Sequence, residues 1–537
     1  MCKPNIAITL SGGGYRAAAY HLGTLSYLNH LTMSDGRKFL DYINIMSTIS
    51  GGTITGLWYM MHLCKGTDVN ESLRELYNLL LSSDIPSMGI DRYIKNQDMD
   101  RPLIRVLADV YDDIFFHGEC FSTILNNIDR VHFDYFSSIG TDFYRALPFR
   151  FQAVKKSSNE NPNEHRGIIG NYFYRITKEM ASPIRLSEIV ATSSCFPGIF
   201  EPIVFPDDFK LYKDAHIKKL LLDAKLKSVN LMDGGIVDNQ GIEYVEVAEQ
   251  QIETEENNTR TAIDLIIISD VAHLKMKSFD ISLKHVWLNA TMRSVVNIIH
   301  TLTLISIVST IIFYVFHSSF WTGFMLAISI VFLSLSCMIE FVLIANIKKK
   351  LKGTHFAEDR NKFLRIKVRN LVNLSIRRIS SLFRLANGVF LKRIRQLSYH
   401  KIYDNPKWEN RRLSSLLYLL NGKNDGGWQT KMKKEKLPEV LGPSILIQNN
   451  NDKAYSMNTT LWFTDKVIKN GIPESLVASG QYTICWSLLR YIHQLEKSAT
   501  EINETHKLIV ACETQLLEDW ERFQSDPMWL FKEKIQK

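Results

Sequence analysis

Apolar positions in the first half of the 537-residue chain gather into short runs, at 5–10, 43–49, 149–154, 229–233 and 262–269, each closed off by glycine or polar residues. Runs of that length predict buried strands, and the stretches between them predict helices, an α/β alternation that puts its chemistry at the strand ends. Residues 66–145 are richer in polar and aromatic positions and read as a cap, 155–170 as a flexible loop, and 501–537 as a helical tail. The pattern changes at Val295. Residues 295–316 are apolar apart from His300 and scattered hydroxyl or amide residues, and 320–346 are apolar apart from Glu340 and a few such residues, with His317, Ser318 and Ser319 between them. Each run is long enough for a bilayer core of about 30 Å. One long buried helix or two core helices would show the same composition. The length, and the aromatics Tyr314, Phe316 and Trp321 beside the turn, favour a transmembrane helical hairpin.

Charge sharpens that expectation. The turn carries no lysine or arginine, whereas Lys275, Lys277, Lys284 and Arg293 precede the hairpin and Lys348, Lys349, Lys350 and Lys352 follow it. Positive flanks stay on the cytoplasmic side, so the sequence predicts a multi-pass membrane protein with both flanks facing the cytoplasm. Residues 348–401 hold sixteen Lys and Arg against Glu358 and Asp359, although the whole chain is only +8, so the positive charge is local. Phe363, Leu371, Ile379 and Phe383 recur at near-helical spacing among Arg365, Arg369, Arg377 and Arg384. A basic amphipathic segment of this kind suits anionic lipid headgroups. Nucleic acid is the competing partner of such charge, and the position directly after an apolar span favours lipid. The first ten residues enter a strand without the pattern of a secretory leader, and seven scattered cysteines suit a reducing compartment.

Three of the predicted strands end in residues that carry chemistry. Residues 43–49 run into Ser50-Gly51-Gly52, the form of a nucleophile elbow, where small neighbours let a sharp turn lift the serine hydroxyl. Those neighbours are Thr48 and Gly52, so the first glycine of G-x-S-x-G is a threonine. Residues 5–10 lead into Ser11-Gly12-Gly13-Gly14-Tyr15-Arg16-Ala17 and a helical stretch. No Gly-Lys-Ser/Thr follows, which argues against a P-loop, and Ala17 replaces the third glycine of a dinucleotide fingerprint. Beside a serine nucleophile, such a loop reads as an oxyanion hole. The third strand, 229–233, ends in Asp233-Gly234-Gly235.

In this order the three elements resemble the patatin-like phospholipases, lipid acyl hydrolases that use a Ser-Asp dyad. Ala191-Thr-Ser-Ser-Cys-Phe-Pro is similar to that family's small-residue helix closing on Phe-Pro, and residues 476–482 are similar to its last helix. The resemblance implies a three-layer α/β/α patatin-like hydrolase sheet, here interrupted by the inserted hairpin. It implies Ser50 as nucleophile and Asp233 as the base acting without a histidine, with Gly12, Gly13, Gly14 and Gly51 as oxyanion donors. Thr48, Gly52, Gly234 and Gly235 would support the elbow and the dyad loop, and Arg16 is a candidate phosphate contact or a surface side chain. The expected organisation is a main catalytic part at 1–285, the hairpin within 286–350, the basic segment at 351–400, and a C-terminal part at 401–537 completing the hydrolase. His21, His117, His132 and His355 have no accompanying motif and read as structural or surface histidines; no metal motif is present and no cofactor is expected. The partners expected are membrane phospholipids. Acyl transfer at the same dyad, or a decayed membrane adaptor, are the alternatives.

Overall fold

The computed structural model describes residues 4–82, 84–95, 103–155, 169–210, 214–255, 263–273, 289–341, 365–423, 427–497 and 504–537. They fall into two units: Met1–Met276 together with Ala386–Lys537, and Lys277–Leu385.

The larger unit is built on a mixed sheet of ten strands among the described residues: β1 (Ile6–Leu10), β2 (Ile43–Ile49), β3 (Tyr135–Asp142), β4 (Leu147–Val154), β5 (Ile169–Gly170), β6 (Arg175–Ile176), β7 (Ile203–Phe205), β8 (Val229–Asp233), β9 (Leu265–Asp270) and β10 (Arg412–Leu416). The order is β10-β9-β1-β2-β3-β4-β5-β6, parallel from β10 to β3 and antiparallel beyond, with β8 joining β3 and β7 joining β8. Alternation along the strands sends side chains to two cores. Ile6, Ile8, Leu10, Leu265 and Ile267 meet helix α1 (Gly14–His30), helix α2 (Gly51–Lys65) and the helix Ile472–Lys497 on one face. Ala7, Ile45, Ile49, Ile266 and Ile268 meet the helix Ile242–Glu255, with Ile402 and Trp408, on the other. Segments that are apolar on both faces suit the buried middle of such a three-layer α/β structure.

The cap reading of 66–145 fails at β3, the strand that carries β2, β4 and β8. The C-terminal part supplies β10, which pairs with β9, and residues 476–482 lie in the long helix packed on α1.

In the smaller unit, the helices Met292–Val315 and Ser319–Phe341 pack against each other across a turn at Phe316, His317 and Ser318, so each begins slightly ahead of the apolar run that predicts it. Thr310 and Ser329 approach to 3.5 Å, and Phe313 stacks on Trp321 with ring centroids 6.0 Å apart. Outward apolar side chains such as Leu304, Ile311, Ile330 and Val331 are exposed. Only the first helix is long and apolar enough, over its described residues, to cross a membrane; the qualifying part of the second is Ser319–Leu335. Residues 342–346, the lysines at 275, 277, 284 and 348–352, and His355 lie outside the described residues, as does the basic segment up to 364. Its described remainder opens with the helix Val368–Arg384, which buries none of its side chains.

Candidate active site

The parallel strand β2 stops at Ile49 and α2 begins at Gly51, so the reversal falls on a single residue, Ser50. Its backbone stands at φ 49° and ψ −119°, a positive-φ conformation that costs a side-chain-bearing residue on the order of 1–3 kcal/mol and must be held by its surroundings. The holding groups are specific. The Ser50 N–H donates to Ser193 Oγ at 2.8 Å, and Ser193 Oγ donates to the Ile139 carbonyl at 2.7 Å. A Cβ on Gly51 would lie 2.0 Å from the Gly14 carbonyl oxygen, so only glycine lets the elbow sit against the first loop. Thr48, in the place of the usual glycine, is accommodated because Gly56 faces it: a Cβ there would come within 2.4 Å of the threonine methyl. The threonine hydroxyl donates to the Ser137 carbonyl.

Asp233 arrives from the opposite direction. Along one edge of β3, Ile139 pairs with Ile49 of parallel β2, and the next residue, Gly140, pairs with Asp233 of antiparallel β8. Two strand ends thus abut on a common neighbour, and the fold brings together Ser50 and Asp233, far apart in sequence. Thr141 Oγ1 fixes the Asp233 carbonyl at 2.7 Å, and the Asp233 N–H donates to the Cys195 carbonyl at 3.0 Å. The carboxylate accepts the Gly235 N–H at 2.7 Å. Burial raises its pKa from 3.8 to about 7, opposed by that N–H and by a hydrogen bond from the Ser50 side chain. Of the two supporting glycines, Gly234 lies against the Ile139 carbonyl and Gly235 supplies the N–H.

The glycine loop divides into two parts. The Gly12 N–H donates to the Asn239 carbonyl at 3.1 Å, so this amide is a strut and is not available to an oxyanion. The acceptor comes from the loop after Asp233, a partner no local pattern discloses. Among the described residues, the amides of Gly13, Gly14 and Gly51 donate to no other group, and they open the first turns of α1 and α2, where backbone N–H groups lack partners within the helix. Gly12 also touches Ser50: a Cβ on it would lie 3.3 Å from the serine Cβ. Gly52 is pressed against the Leu10 carbonyl beneath the elbow.

Arg16 is buried rather than open to a ligand. Its guanidinium donates to the Met457 carbonyl at 2.9 Å and meets His273, and burial lowers its pKa to about 10. It ties α1 to the loop at 457–459. His21 is held between Ser269 Oγ and the Ser11 carbonyl at 2.8 and 2.9 Å, with burial pushing its pKa down to about 4, and His132 binds Tyr59 and the Ile43 carbonyl. Asp238 is a helix cap, accepting the N–H groups of Gly241 and Glu243. Among the described residues no group of three His, Cys, Asp or Glu is placed to hold a metal ion.

Sequence reasoning missed a brace behind the site. Arg395, one of the basic-segment residues expected to face lipid, pairs with fully buried Asp270 at 3.3 Å. With the Asn239 amide oriented by its neighbours, Arg395 Nε also donates to the Asn239 carbonyl oxygen of the side chain at 3.1 Å. Tyr399, one helical turn on in Leu391–Tyr403, donates to the other Asp270 oxygen at 2.9 Å. Asn239 lies against both Gly12 and Gly235, so this helix braces the loops on either side of Ser50.

Residues 8–245 match the family model described as patatin-like phospholipase. Among solved structures, human GIVD cytosolic phospholipase A2 aligns at 17% identity and TM-score 0.24 over 36% of this chain and 28% of that one. The same human enzyme in complex with methyl gamma-linolenyl fluorophosphonate and terbium chloride aligns at 19% identity and TM-score 0.22, over 28% and 23%. These alignments span less than a third of the solved chains. No curated protein is matched.

Proposed function

We propose that the protein is a membrane-bound lipid acyl hydrolase that cleaves carboxylic esters of phospholipids through Ser50 and Asp233. The observation that carries this reading is the left-handed Ser50 at a strand end beside a buried carboxylate whose pKa is raised to about 7. A serine hydroxyl is too weak an acid to attack an ester unaided, and a carboxylate made more basic by burial is a competent acceptor for its proton. In the first half-reaction Asp233 takes the Ser50 proton as Oγ adds to the acyl carbonyl. The amides of Gly13, Gly14 and Gly51 receive the oxyanion, and the lysophospholipid leaves with the proton. In the second, Asp233 deprotonates a water that attacks the acyl-serine, and the fatty acid departs as Ser50 recovers its hydrogen. Gly12 acts as strut to the oxyanion loop, and Arg16 positions α1.

The membrane part of the proposal is supported by Met292–Val315, about 36 Å long at 1.5 Å per residue, with most of its surface exposed and apolar. Paired with Ser319–Phe341 it makes a two-span hairpin, with the basic flanks and the catalytic unit on the cytoplasmic side. The helix Val368–Arg384 contains Arg369, Arg377, Arg378 and Arg384 and no acid, which suits a surface of anionic headgroups. The test is fatty-acid release from phospholipid vesicles, with and without an acceptor alcohol and in excess chelator. The reading expects free fatty acid in every case. Acyl ester as the sole product identifies a transferase, and no turnover of any lipid identifies an adaptor.

A further inference from the structure

Two hairpin tips stand out in the larger unit because they hold aromatic rings in water. Phe143, Tyr144, Tyr172 and Phe173 are 54%, 84%, 73% and 61% exposed. Scattered surface aromatics need no explanation, but four on two adjoining turns form a patch. The sheet register shows where it lies. Ile49 is level with Ile139, Ile139 with Arg150, and Arg150 with Gly170. The β3–β4 turn at 143–146 and the β5–β6 turn at 171–174 therefore both project beyond the end of the sheet that carries Ser50 and Asp233. At about 3.4 Å per residue, Phe143 begins roughly 10 Å past the level of Asp233.

The tips are built to stay out. Fully buried Asp142 accepts the N–H groups of Tyr144 and Arg145 at 3.1 Å each, closing the first turn. Asn171 accepts those of Phe173 and Tyr174 at 2.9 Å each, closing the second. The Asn171 amide then donates to Asp142 at 3.0 Å, stapling one turn to the other. The Arg145 guanidinium stands 5.3 Å from the rings of both Tyr144 and Phe173, and that of Arg175 stands 5.2 Å from Tyr172. Rings with attendant guanidinium groups match the lipid–water interface, where the ring enters the acyl boundary and the cation meets phosphate.

We infer that these tips form an aromatic lip that enters the lipid–water interface beside the site, where a phospholipid must leave the bilayer to reach Ser50. The inference names the surface on which the proposed hydrolase works and rests on that reading for its purpose, while the contact itself can be observed without catalysis. The full-length chain, reconstituted in vesicles of phosphatidylcholine and phosphatidylserine with a benzophenone amino acid in place of Tyr144, is expected to crosslink to phospholipid on irradiation. Crosslinking only to polypeptide, or none, overturns the lip. In parallel, Tyr144→Ser with Phe173→Ser is expected to slow hydrolysis of vesicle lipid at least tenfold while leaving a soluble short-chain ester within twofold. Equal loss on both substrates, or no loss on vesicles, also overturns it. If the unmodified protein hydrolyses neither substrate, the catalytic reading fails and crosslinking alone decides the lip.

Discussion

At the scale of single residues, the behaviour of Asp233 follows from where its charge is buried. Its pKa of about 7 means that the carboxylate forms only as pH rises through neutrality, so kcat/KM is expected to climb between about pH 6 and 8 and then level off. A pH–rate profile checks this; a flat profile down to pH 5 would contradict it. Stability runs the other way. Between the unfolded value of 3.8 and the folded value of about 7 the native state holds the extra proton, so raising pH through that window destabilises the fold. Asp233→Asn removes that cost. At about 1.4 kcal/mol for each tenfold change in acidity constant, the variant is expected to gain on the order of 4 kcal/mol over wild type by pH 8, with the advantage shrinking towards pH 4. Thermal melts at the two pH values measure it. Candidate residues could be named from the sequence because Ser50 and Asp233 each close an apolar run, but their contact is made by β3, which neither motif contains. Gly12 departs from the oxyanion role expected of it for a similar reason: the acceptor of its N–H, Asn239, lies on a remote loop.

At the scale of elements, what hydrophobic runs disclose and what they hide has a physical basis. The boundaries of β2 coincide with the run 43–49, and those of β8 with 229–233. By contrast β3, Tyr-Phe-Ser-Ser-Ile-Gly-Thr-Asp, is fully buried yet half polar. Its hydroxyls are used inward: Ser138 bonds Thr53 and Thr141 bonds the Asp233 carbonyl, so the polarity that conceals the strand is part of the site's support. The edge strand β10, Arg-Leu-Ser-Ser-Leu, is hidden the same way. The helix Leu391–Tyr403 illustrates the opposite error, in which a run of cations is read as solvent- or lipid-facing. Arg395 faces inward and neutralises Asp270, so Arg395→Ala leaves a buried carboxylate without its cation and is expected to destabilise the larger unit by about 3 kcal/mol. It is also expected to lower kcat through the Asn239 brace. Denaturant melts and soluble-ester kinetics test both, and Arg395→Lys should recover part of each. An unchanged melt and kcat would show that the brace is dispensable.

At the scale of the whole molecule, an apolar helical pair is inserted into a chain whose sheet resumes at β10. The two apolar helices are legible in composition, while the bilayer orientation proposed for them rests on charges at the flanks. A glycosylation or protease reporter placed at His317 is expected on the far side of the membrane, with reporters at the N-terminus and after residue 401 remaining cytoplasmic. Release of the intact protein by alkaline carbonate would make these helices a peripheral feature. The catalytic claim does not depend on that outcome, because Ser50 and Asp233 both lie in the larger unit. It is tested most directly by comparing fatty-acid release by wild type, Ser50→Ala, Asp233→Asn and the double variant on the same phospholipid vesicles in excess chelator. Residues that act as one unit are non-additive, so each single variant is expected to lose nearly all turnover and the double variant to be no worse than either. Half of wild-type activity surviving without Asp233, or activity lost to chelator in the wild type, would contradict a Ser50–Asp233 mechanism.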